Sequence, residues 1–356
     1  MSDNETPNSR IVRKSKKRKK KRIVLFILIP ILIAFLSVAS YAAYLYTKAD
    51  SVFSESYEDD GREKSDLREE KVDPTEDNVS ILIMGVDESE TRGNEGNALS
   101  DTLILATLNK EENSVNMVSI PRDSYVYIPE VGYETKINHA HSYGGTDATV
   151  ETVENLLDIP VDYHVKVNFD AFIDVVDAIN GINVEVPYEL YEQNSEDVAG
   201  AIHLLPGEQD LNGEEALALA RTRKLDNDIE RGKRQQEIIK SVVKKSISLG
   251  SVFKYDNIID AVGDNMTTNM TFDEMKSFVS YGSSSSNLDF ETHTLEGYDY
   301  QPGNTYYYQL DEVALSETKS LLKSHLEIED ESSVASDSNN SSQTTTSSPN
   351  NDNNSY

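Results

Sequence analysis

The arginine side chains of this chain are few and clustered. After Val72 the sequence has six arginines, at Arg92, Arg122, Arg221, Arg223, Arg231 and Arg234. Four of them lie between positions 221 and 234, in a body that otherwise uses lysine. A guanidinium group donates N–H groups in a planar fork, which matches paired phosphate oxygens better than an ammonium group does. The cluster therefore predicts an anion site that contains Arg221, Arg223 and Arg231.

The helix expected after Asp228 gives Arg231 a place on a buried face. Arg231 and Gln235 fall on the same helical stripe as the apolar residue Ile238, so they extend that face. The alternative is a solvated basic face, which describes three other residues better: Lys233, Lys240 and Lys244.

Two aspartates are the acidic counterpart of the arginines. Asp87 follows one predicted strand and Asp101 begins another. Two carboxylates beside a phosphate site can hold Mg²⁺ or Mn²⁺, with phosphate oxygens and water completing the octahedron. A chain with 63 acidic residues also forms such pairs by chance, so spacing alone does not decide the matter.

A hairpin register places one of these aspartates opposite an arginine. If residues 110–113 form a four-residue loop, Asn109 pairs with Ser114 and Asp101 lies opposite Arg122. A carboxylate and a guanidinium would then face each other at one end of the sheet. An ordinary cross-strand salt bridge explains this pair equally well, and both interpretations stay open at this point.

Several other kinds of site are excluded or disfavoured. The chain has no cysteine, which removes disulfides, thiol nucleophiles and cysteine-ligated zinc. His139 and His141 do not have a standard zinc spacing, and we interpret them as local packing. Gly144 and Gly145 predict a turn. The sequence has no phosphate-cradling glycine motif, no HExxH and no GxSxG.

Strands and helices alternate between residues 78 and 326. Apolar runs predict strands over 79–86, 102–108, 115–120, 162–168 and 182–186. Helices are expected after caps at Asp147, Asp170 and Asn212, and a long amphipathic helix over 229–249 with Gly250 as its stop. This alternation predicts an α/β fold, an α/β/α sandwich on a mixed central sheet, preceded by one N-terminal transmembrane helix.

The charge distribution points to a membrane anchor. Residues 1–22 carry ten basic and two acidic residues, a net of +8, whereas the formal charge of the whole chain is −30. An acidic body does not neutralise a phosphate backbone, which excludes nucleic-acid binding that is independent of sequence. Residues 23–47 are uncharged and long enough to cross a hydrocarbon layer of about 30 Å. The preceding basic cluster then predicts a cytoplasmic N-terminus and an extracellular body. A cleaved signal peptide is the alternative, and it also exports the body.

Composition divides the rest of the chain. We expect a cytoplasmic segment at 1–22, a transmembrane helix at 23–47, an extracellular stalk at 48–77, a catalytic domain at 78–326 and a disordered tail at 327–356. The stalk is charged and poor in apolar residues, and the Ser/Asn/Thr-rich tail lacks the apolar side chains that a core requires.

An ordered series of motifs resembles the LytR–CpsA–Psr family of cell-wall ligases. The motifs are LIMGVD at 82–87, SDT at 100–102, SIPRD at 119–123, KINHA at 136–140, GG at 144–145, LNGEEAL at 211–217, RTR at 221–223, DIER at 228–231 and RQQ at 234–236. His141 departs from the family pattern, where an aromatic residue is commoner, and we expect no effect on activity.

The resemblance implies a membrane-anchored, Mg²⁺-dependent phosphotransferase of Gram-positive type. Such enzymes move an anionic glycopolymer, typically wall teichoic acid, from a polyprenyl-pyrophosphate carrier onto peptidoglycan through a phosphodiester. The residues implied to hold the pyrophosphate are Arg122, Arg221, Arg223, Arg231 and Gln235. Asp87 and Asp101 would bind the metal ion and act with Arg122 in catalysis, and the apolar interior near the sheet would take the lipid. Neither aspartate is assigned as general base, because a carboxylate that ligates a metal is a poor base.

Two other functional classes stay open. One is a hydrolase that uses the same site to release phosphate from the lipid carrier. The other is a non-enzymatic regulator of the cell envelope, although a surface-binding role would not need Arg231 and Gln235 on a buried face.

Overall fold

The computed structural model describes residues 9–87, 98–223, 227–248, 259, 261, 263, 266–284 and 288–328. Its helices are α1 (Ser9–Ser56), α2 (His139–Leu157), α3 (Phe169–Ala178), α4 (Gly213–Arg221), α5 (Asp228–Ser248), α6 (Phe272–Ser284) and α7 (Glu312–Leu326). Its strands are β1 (Val79–Val86), β2 (Ser100–Asn109), β3 (Ser114–Ser119), β4 (Tyr125–Ile128), β5 (Tyr133–Lys136), β6 (Tyr163–Val167), β7 (Ile182–Val186), β8 (Leu190–Glu192), β9 (Ile202–Leu204), β10 (Gly207–Leu211), β11 (Met266–Thr268), β12 (Asp289–Thr294), β13 (Gly297–Tyr300) and β14 (Tyr307–Leu310). The expected helix stop at Gly250 and most of the tail lie outside the described residues.

A six-stranded mixed sheet forms the centre of the domain, in the order β11-β6-β1-β2-β3-β12. Strand β1 runs antiparallel to β2 and parallel to β6, and β3 runs antiparallel to β2 and parallel to β12. The described residues also form four two-stranded sheets, of which β4–β5, β8–β9 and β13–β14 are hairpins and β7–β10 pairs strands distant in sequence. The mixed central sheet predicted from the alternating pattern is confirmed.

Alternate side chains of β2 enter two different cores, as the period of two in a strand requires. Leu103 and Leu105 pack in a core that includes Val150 of α2 and Leu322 of α7. Ile104, on the opposite side of the strand, belongs to a cluster that contacts α5. The sheet therefore lies between two helical layers, and the predicted α/β/α sandwich is correct.

Helix α5 approaches the sheet closely for identifiable reasons. A Cβ at Gly232 would lie 2.5 Å from the Ser119 Oγ, so any larger residue would have to displace the Ser119 side chain of β3. The buried side-chain amide of Gln236 donates to the carbonyl oxygens of Met117 and His293, at 3.1 and 2.7 Å. These contacts hold the start of α5 over the end of β3.

The structure confirms one of the predicted helix caps and corrects another. Asn212 and Glu215 form the expected capping box of α4. Helix α3, however, is capped by Asn168, whose side chain accepts from the Ala171 N–H at 2.8 Å. Asp170 lies one position inside the first turn, so the predicted cap was wrong. A carboxylate there still faces the positive end of the helix dipole.

The turn predicted at Gly144 and Gly145 is a break within α2. Both glycines have non-helical backbone angles, and Gly145 has a φ of 65°. The helical conformation resumes after them, so Asp147 lies inside the helix and is not its cap. A Cβ at Gly144 would lie 2.7 Å from the Cβ of Ala148, which explains the small residue at the break.

Helix α1 contains the uncharged segment and continues beyond it. Among the described residues, one helix is long and apolar enough to cross a membrane; its candidate span is Leu28–Ser56, and 18 consecutive residues within it have a mean hydropathy of 2.1. Its last turns pack against α6, where Phe53 stacks on Phe272 with ring centroids 5.4 Å apart. The N-terminal apolar helix is thus a candidate membrane anchor that is joined directly to the domain.

Residues 57–77, predicted as part of a stalk, lie against the domain. The Arg68 guanidinium forms two hydrogen bonds to the Asp162 carboxylate, at 2.9 and 2.7 Å. Arg62 pairs with Glu154 of α2 at 3.2 Å. Two arginines of the predicted stalk therefore form ion pairs with the domain, a pattern that composition alone does not distinguish.

Candidate active site at the edge of the sheet

Asp101 and Arg122 meet at one end of the β2–β3 hairpin. The strands pair from Asn109 opposite Ser114 to Ile104 opposite Ser119, which is the register predicted from a four-residue loop. Beyond the last pair, Nη1 of Arg122 donates to Oδ1 of Asp101 at 2.5 Å. The predicted pairing is confirmed.

Two further carboxylates lie beside Arg122. Its Nε is 3.9 Å from Oδ2 of Asp123 and 3.9 Å from Oδ1 of Asp228. Burial disfavours the charged guanidinium, but Asp101, Asp228 and Asp123 together outweigh burial and raise the pKa of Arg122. Arg122 is therefore a fixed, fully charged group that faces three acids.

Arg231 is buried and also bound to Asp228. Its Nη2 lies 2.7 Å from Oδ1 of Asp228, one turn earlier in α5, and its side chain is only 7% exposed. The pKa of Arg231 is lowered by burial and by the neighbouring charges of Arg122 and Arg223, against the opposing effect of Asp228. Arg122, Arg223 and Arg231 therefore share one electrostatic environment. The anion site predicted from the sequence, with Arg221, Arg223 and Arg231, stays a prediction.

Arg122 and Arg231 retain hydrogen-bonding capacity at one atom each. Within the described part of the chain, the Nε atoms of Arg122 and Arg231 are buried without a hydrogen-bond partner. Unsatisfied buried donors are rare in proteins and call for an explanation. An anion that accepts from both guanidinium groups would satisfy them.

The end of α4 is attached to α5 by two side chains. Arg234 donates to the carbonyl oxygens of Leu219 and Thr222, at 3.2 and 2.5 Å. Gln235 donates to the carbonyl oxygen of Ala220 at 3.2 Å. Half-buried Gln235 thus orients the segment that carries the RTR motif, and Arg234 is a structural residue.

Arg221 and Arg223 project from this segment. Arg223 is exposed. The Arg221 guanidinium lies over the Phe169 ring, 4.6 Å from its centroid. Phe169 follows β6 two residues after Val167, which pairs with Gly85 near the end of β1. Arg221 is therefore placed at the sheet edge where β1 ends.

Asp87 lies at the same edge, directly after β1. The ladder between β1 and β2 has an irregularity where Val86 pairs with Ser100, so Asp87 and Asp101 flank the paired ends of adjacent strands. Asp87 is half-buried, and the Asp101 side chain is 39% exposed. The described residues contain no group of three or more acidic or histidine side chains placed to hold a metal ion. Two carboxylates nevertheless suit Mg²⁺, which keeps water and phosphate oxygens as its other ligands.

An apolar cluster lies directly behind the arginine-bearing segment. It joins α3, α4, α5 and β7 and includes Val176, Leu219 and Ile238. Partly buried Ala220 packs against this cluster, one residue before Arg221. The expectation that apolar interior near the sheet receives the lipid stays a prediction.

The two histidines make local contacts, as expected. Nδ1 of His139 lies 3.1 Å from Oγ1 of Thr135, and Nδ1 of His141 lies 3.0 Å from the carbonyl oxygen of Ala98. Burial and the nearby Lys136 lower the pKa of His139. A neutral imidazole at this position fits packing better than anion binding.

Sequence reasoning missed three charged residues of the site. Asp123 and Asp228 contact Arg122, and Lys136 contacts Asp123 at 2.7 Å. Signals for two of them were present, since Asp123 is adjacent to Arg122 and Asp228 lies three residues before Arg231 on the same helix. Lys136 begins the KINHA motif, but its contact with Asp123 has no local signal, because the β4–β5 hairpin brings the two residues together.

Comparison with known proteins identifies the family of this chain. The model of the LytR_cpsA_psr family matches residues 43–324. This chain belongs to the LytR_cpsA_psr family. The match covers the domain, all seven predicted site residues and the end of α1.

Curated relatives in the LytR_cpsA_psr family have similar length. The chain is 41% identical over 319 residues to the polyisoprenyl-teichoic acid–peptidoglycan teichoic acid transferase TagT of Bacillus subtilis, covering 88% of this chain and 98% of TagT. It is 40% identical to the transferase TagU of the same organism, covering 89% of this chain and all of TagU.

Solved structures of the LytR_cpsA_psr family share the fold. TagT bound to LIIa-WTA superposes with a TM-score of 0.66 at 40% identity, covering 75% of this chain and 98% of that one. TagT with bound octaprenyl pyrophosphate lipid superposes with a TM-score of 0.62 at 38% identity, with the same coverage.

Proposed function

We propose that this chain is a membrane-anchored phosphotransferase that moves wall teichoic acid from a polyprenyl-pyrophosphate carrier onto peptidoglycan. The observation that carries the proposal is the cluster of Arg122, Arg223 and Arg231 beside Asp87 and Asp101 at one sheet edge. The names of the relatives TagT and TagU, and a TagT structure with bound octaprenyl pyrophosphate, support the same substrate class.

The arginines supply charge stabilisation. A hydroxyl of the acceptor attacks the phosphorus that carries the polymer, the bond from that phosphorus to the bridging oxygen breaks, and the lipid phosphate leaves with this oxygen while the hydroxyl proton passes to the lipid phosphate or to water. Arg122, Arg223 and Arg231 are placed to contact phosphate oxygens, and Arg221 extends the site along the sheet edge. Preorganised guanidinium groups stabilise the negative charge that develops on the leaving phosphate. Asp228 holds Arg122 and Arg231 in a fixed relation, so this preorganisation exists before the substrate binds.

Charge balance supports a divalent cation. The described side chains of the site comprise five basic groups, Arg122, Arg221, Arg223, Arg231 and Lys136, and four acidic groups, Asp87, Asp101, Asp123 and Asp228. Their net charge of +1 is small beside that of a pyrophosphate. Mg²⁺ held by Asp87 and Asp101 would neutralise the remaining phosphate charge. Oδ1 of Asp101 accepts a hydrogen bond from Arg122, so Oδ2 is the oxygen of Asp101 that would bind the cation.

We propose that the N-terminus lies in the cytoplasm and the domain outside the membrane, because basic residues precede the apolar span. Protease added to intact spheroplasts should digest everything after Lys48 and spare an N-terminal tag. A protected domain would refute this orientation and any function in the wall.

A reconstituted transfer reaction tests the chemistry. The full chain in detergent is supplied with a lipid-pyrophosphate-linked teichoic acid precursor, Mg²⁺ and peptidoglycan oligomers. Covalently linked polymer is the expected product. Release of free polymer in the presence of acceptor would instead identify a hydrolase. A protein that binds the lipid and forms neither linked nor free polymer would favour the regulator. The variant Arg231→Met removes the guanidinium group and should abolish formation of the linked polymer.

A further inference from the structure

The rings of Tyr125, Tyr300 and Tyr307 contact one another outside the hydrophobic core, and Tyr306 precedes Tyr307 in the chain. We call Tyr125, Tyr300, Tyr306 and Tyr307 the tyrosine platform. The Tyr125 ring is 4.7 Å from that of Tyr307 and 5.7 Å from that of Tyr300. Tyr306 is 39% exposed, and the other three are half-buried.

The platform is attached to the residues that flank Arg122. Tyr125 begins β4, three positions after Arg122, and the Tyr308 N–H donates to the carbonyl oxygen of Asp123 at 2.8 Å. Lys136, which pairs with Asp123, has its Nζ 5.9 Å from the centre of the Tyr306 ring. The platform therefore begins where the proposed phosphate site ends.

These rings lie outside the main apolar core. Tyr308, their neighbour in sequence, belongs to the main apolar core, whereas no member of the platform does. Clustered tyrosines at a surface provide flat apolar faces with polar edges at little conformational cost, a combination typical of binding surfaces. The C–H faces of pyranose rings are the flat, weakly polar counterpart of such rings.

The charges around the platform select among sugar ligands. Glu134 lies beside Tyr125, and Oδ1 of Asp299 accepts from the Tyr306 hydroxyl at 2.9 Å. With Asp123 nearby, the rim is mostly acidic, and Lys136 is paired with Asp123. An acidic rim repels the repeated phosphates of a teichoic acid chain and does not repel an uncharged glycan.

We propose that the tyrosine platform binds the glycan strand of the peptidoglycan acceptor and presents its hydroxyl to the phosphate held by the arginines. This inference rests on the proposed function and adds the residues that recognise the acceptor. The donor then occupies the arginine side of the site and the acceptor the tyrosine side.

The test compares ring removal with hydroxyl removal. The double variant Tyr300→Ala/Tyr307→Ala removes two stacking faces, whereas Tyr300→Phe/Tyr307→Phe keeps them. Tyr191→Ala removes an exposed ring that stacks on His203 in the β8–β9 hairpin and serves as control. Binding of chitotetraose, an uncharged N-acetylglucosamine oligomer, should weaken about tenfold in the alanine double variant and less than about twofold in the other two.

Steady-state transfer gives the second readout. The alanine double variant should raise the KM for peptidoglycan oligomers about tenfold, with kcat and octaprenyl pyrophosphate binding close to those of the parent. If that variant fails to unfold cooperatively, Tyr306→Ala replaces it, because this ring is the most exposed of the four.

The outcomes separate the inference from the proposed function. If the alanine double variant binds chitotetraose and has an acceptor KM like the parent, the platform does not bind the acceptor and the inference is wrong. Weaker binding of a glycerol phosphate oligomer instead of chitotetraose would also overturn it, because the platform would then hold the donor chain. A parent protein that binds chitotetraose through these rings but forms no linked polymer would refute the proposed function and leave the platform intact.

Discussion

Asp228 and Arg231 form an ion pair across one turn of α5, with 2.7 Å between Oδ1 and Nη2. The same carboxylate lies 3.9 Å from Nε of Arg122, which comes from the other side of the site. Asp228 thus links the helix to the hairpin. Its position explains how two guanidinium groups remain close together in the absence of an anion.

Asp228→Asn should lower the free energy of unfolding by roughly 1–3 kcal/mol, because Arg231 then lacks its charged partner in a buried position. The control is Glu230→Gln, which breaks an exposed pair with Lys233 at the same spacing in the same helix. That change should cost less than about 0.5 kcal/mol. Urea denaturation measures both, and equal effects would contradict the role given to Asp228.

Arg122→Lys should weaken binding of an octaprenyl pyrophosphate analogue by roughly 1–3 kcal/mol, because lysine keeps the charge and loses the planar fork. Arg68→Lys is the matched control, since Arg68 binds Asp162 with two hydrogen bonds far from the site. The control should lower stability and leave affinity unchanged. Titration calorimetry with melting curves distinguishes the two, and a folded Arg122→Lys protein with parental affinity and turnover would show that the arginine is structural.

Removal of the divalent cation should abolish transfer and leave lipid binding measurable. EDTA is expected to stop linkage in the parent, and added Mg²⁺ or Mn²⁺ to restore it. Asp101→Asn should lose this metal stimulation and still bind the octaprenyl pyrophosphate analogue, because a repulsive carboxylate is gone. Parental activity in EDTA, or full Mg²⁺ stimulation of the variant, would refute a metal site at Asp87 and Asp101.

Asn212→Ala should destabilise the protein by about 1 kcal/mol, the usual effect of losing a helix N-cap. The Asn212 side chain accepts from the Glu215 N–H at 3.0 Å, and Glu215 accepts from the Asn212 N–H at 2.9 Å. Asn212→Ser keeps a capping oxygen and should recover most of the loss. Thermal melting of the three proteins checks the order, and a serine variant as unstable as alanine would contradict capping.

His164 should make stability depend on pH. Burial lowers its pKa to about 4, against the opposing effect of Asp60, while Arg62 and Lys166 add to the lowering. The unfolded chain therefore binds more protons than the folded one between pH about 6.5 and 4, so stability is full above about 6.5 and falls as the pH decreases to about 4. The loss is on the order of 3 kcal/mol.

Replacement of His164 by Phe keeps an apolar ring and removes this titration. Urea denaturation at pH 7 and pH 5 should then show a smaller pH effect in the variant than in the parent. The remaining dependence includes His139 and His325, whose pKa values are also lowered by burial. An identical pH effect in both proteins would exclude His164 as its source.

The sequence determined the local elements of this protein and one contact between them. The apolar runs, the capping box at Asn212 and the four-residue loop depend on neighbouring residues, so periodicity and turn geometry reveal them. The β2–β3 register follows from loop length, and it brought Asp101 to Arg122. The helical stripe placed Arg231 on a buried face in the same way.

Only the tertiary structure decided what surrounds these residues. Asp228 reaches Arg122 because α5 packs on the sheet through Gly232 and Gln236, a long-range contact that no local pattern encodes. The tyrosine platform likewise joins β4 to the β13–β14 hairpin. Residues 57–77 look like a solvated stalk in composition, yet their arginines pair with Glu154 and Asp162. Composition gives the number of charged residues, whereas the folded chain determines which of them form ion pairs and with which partners.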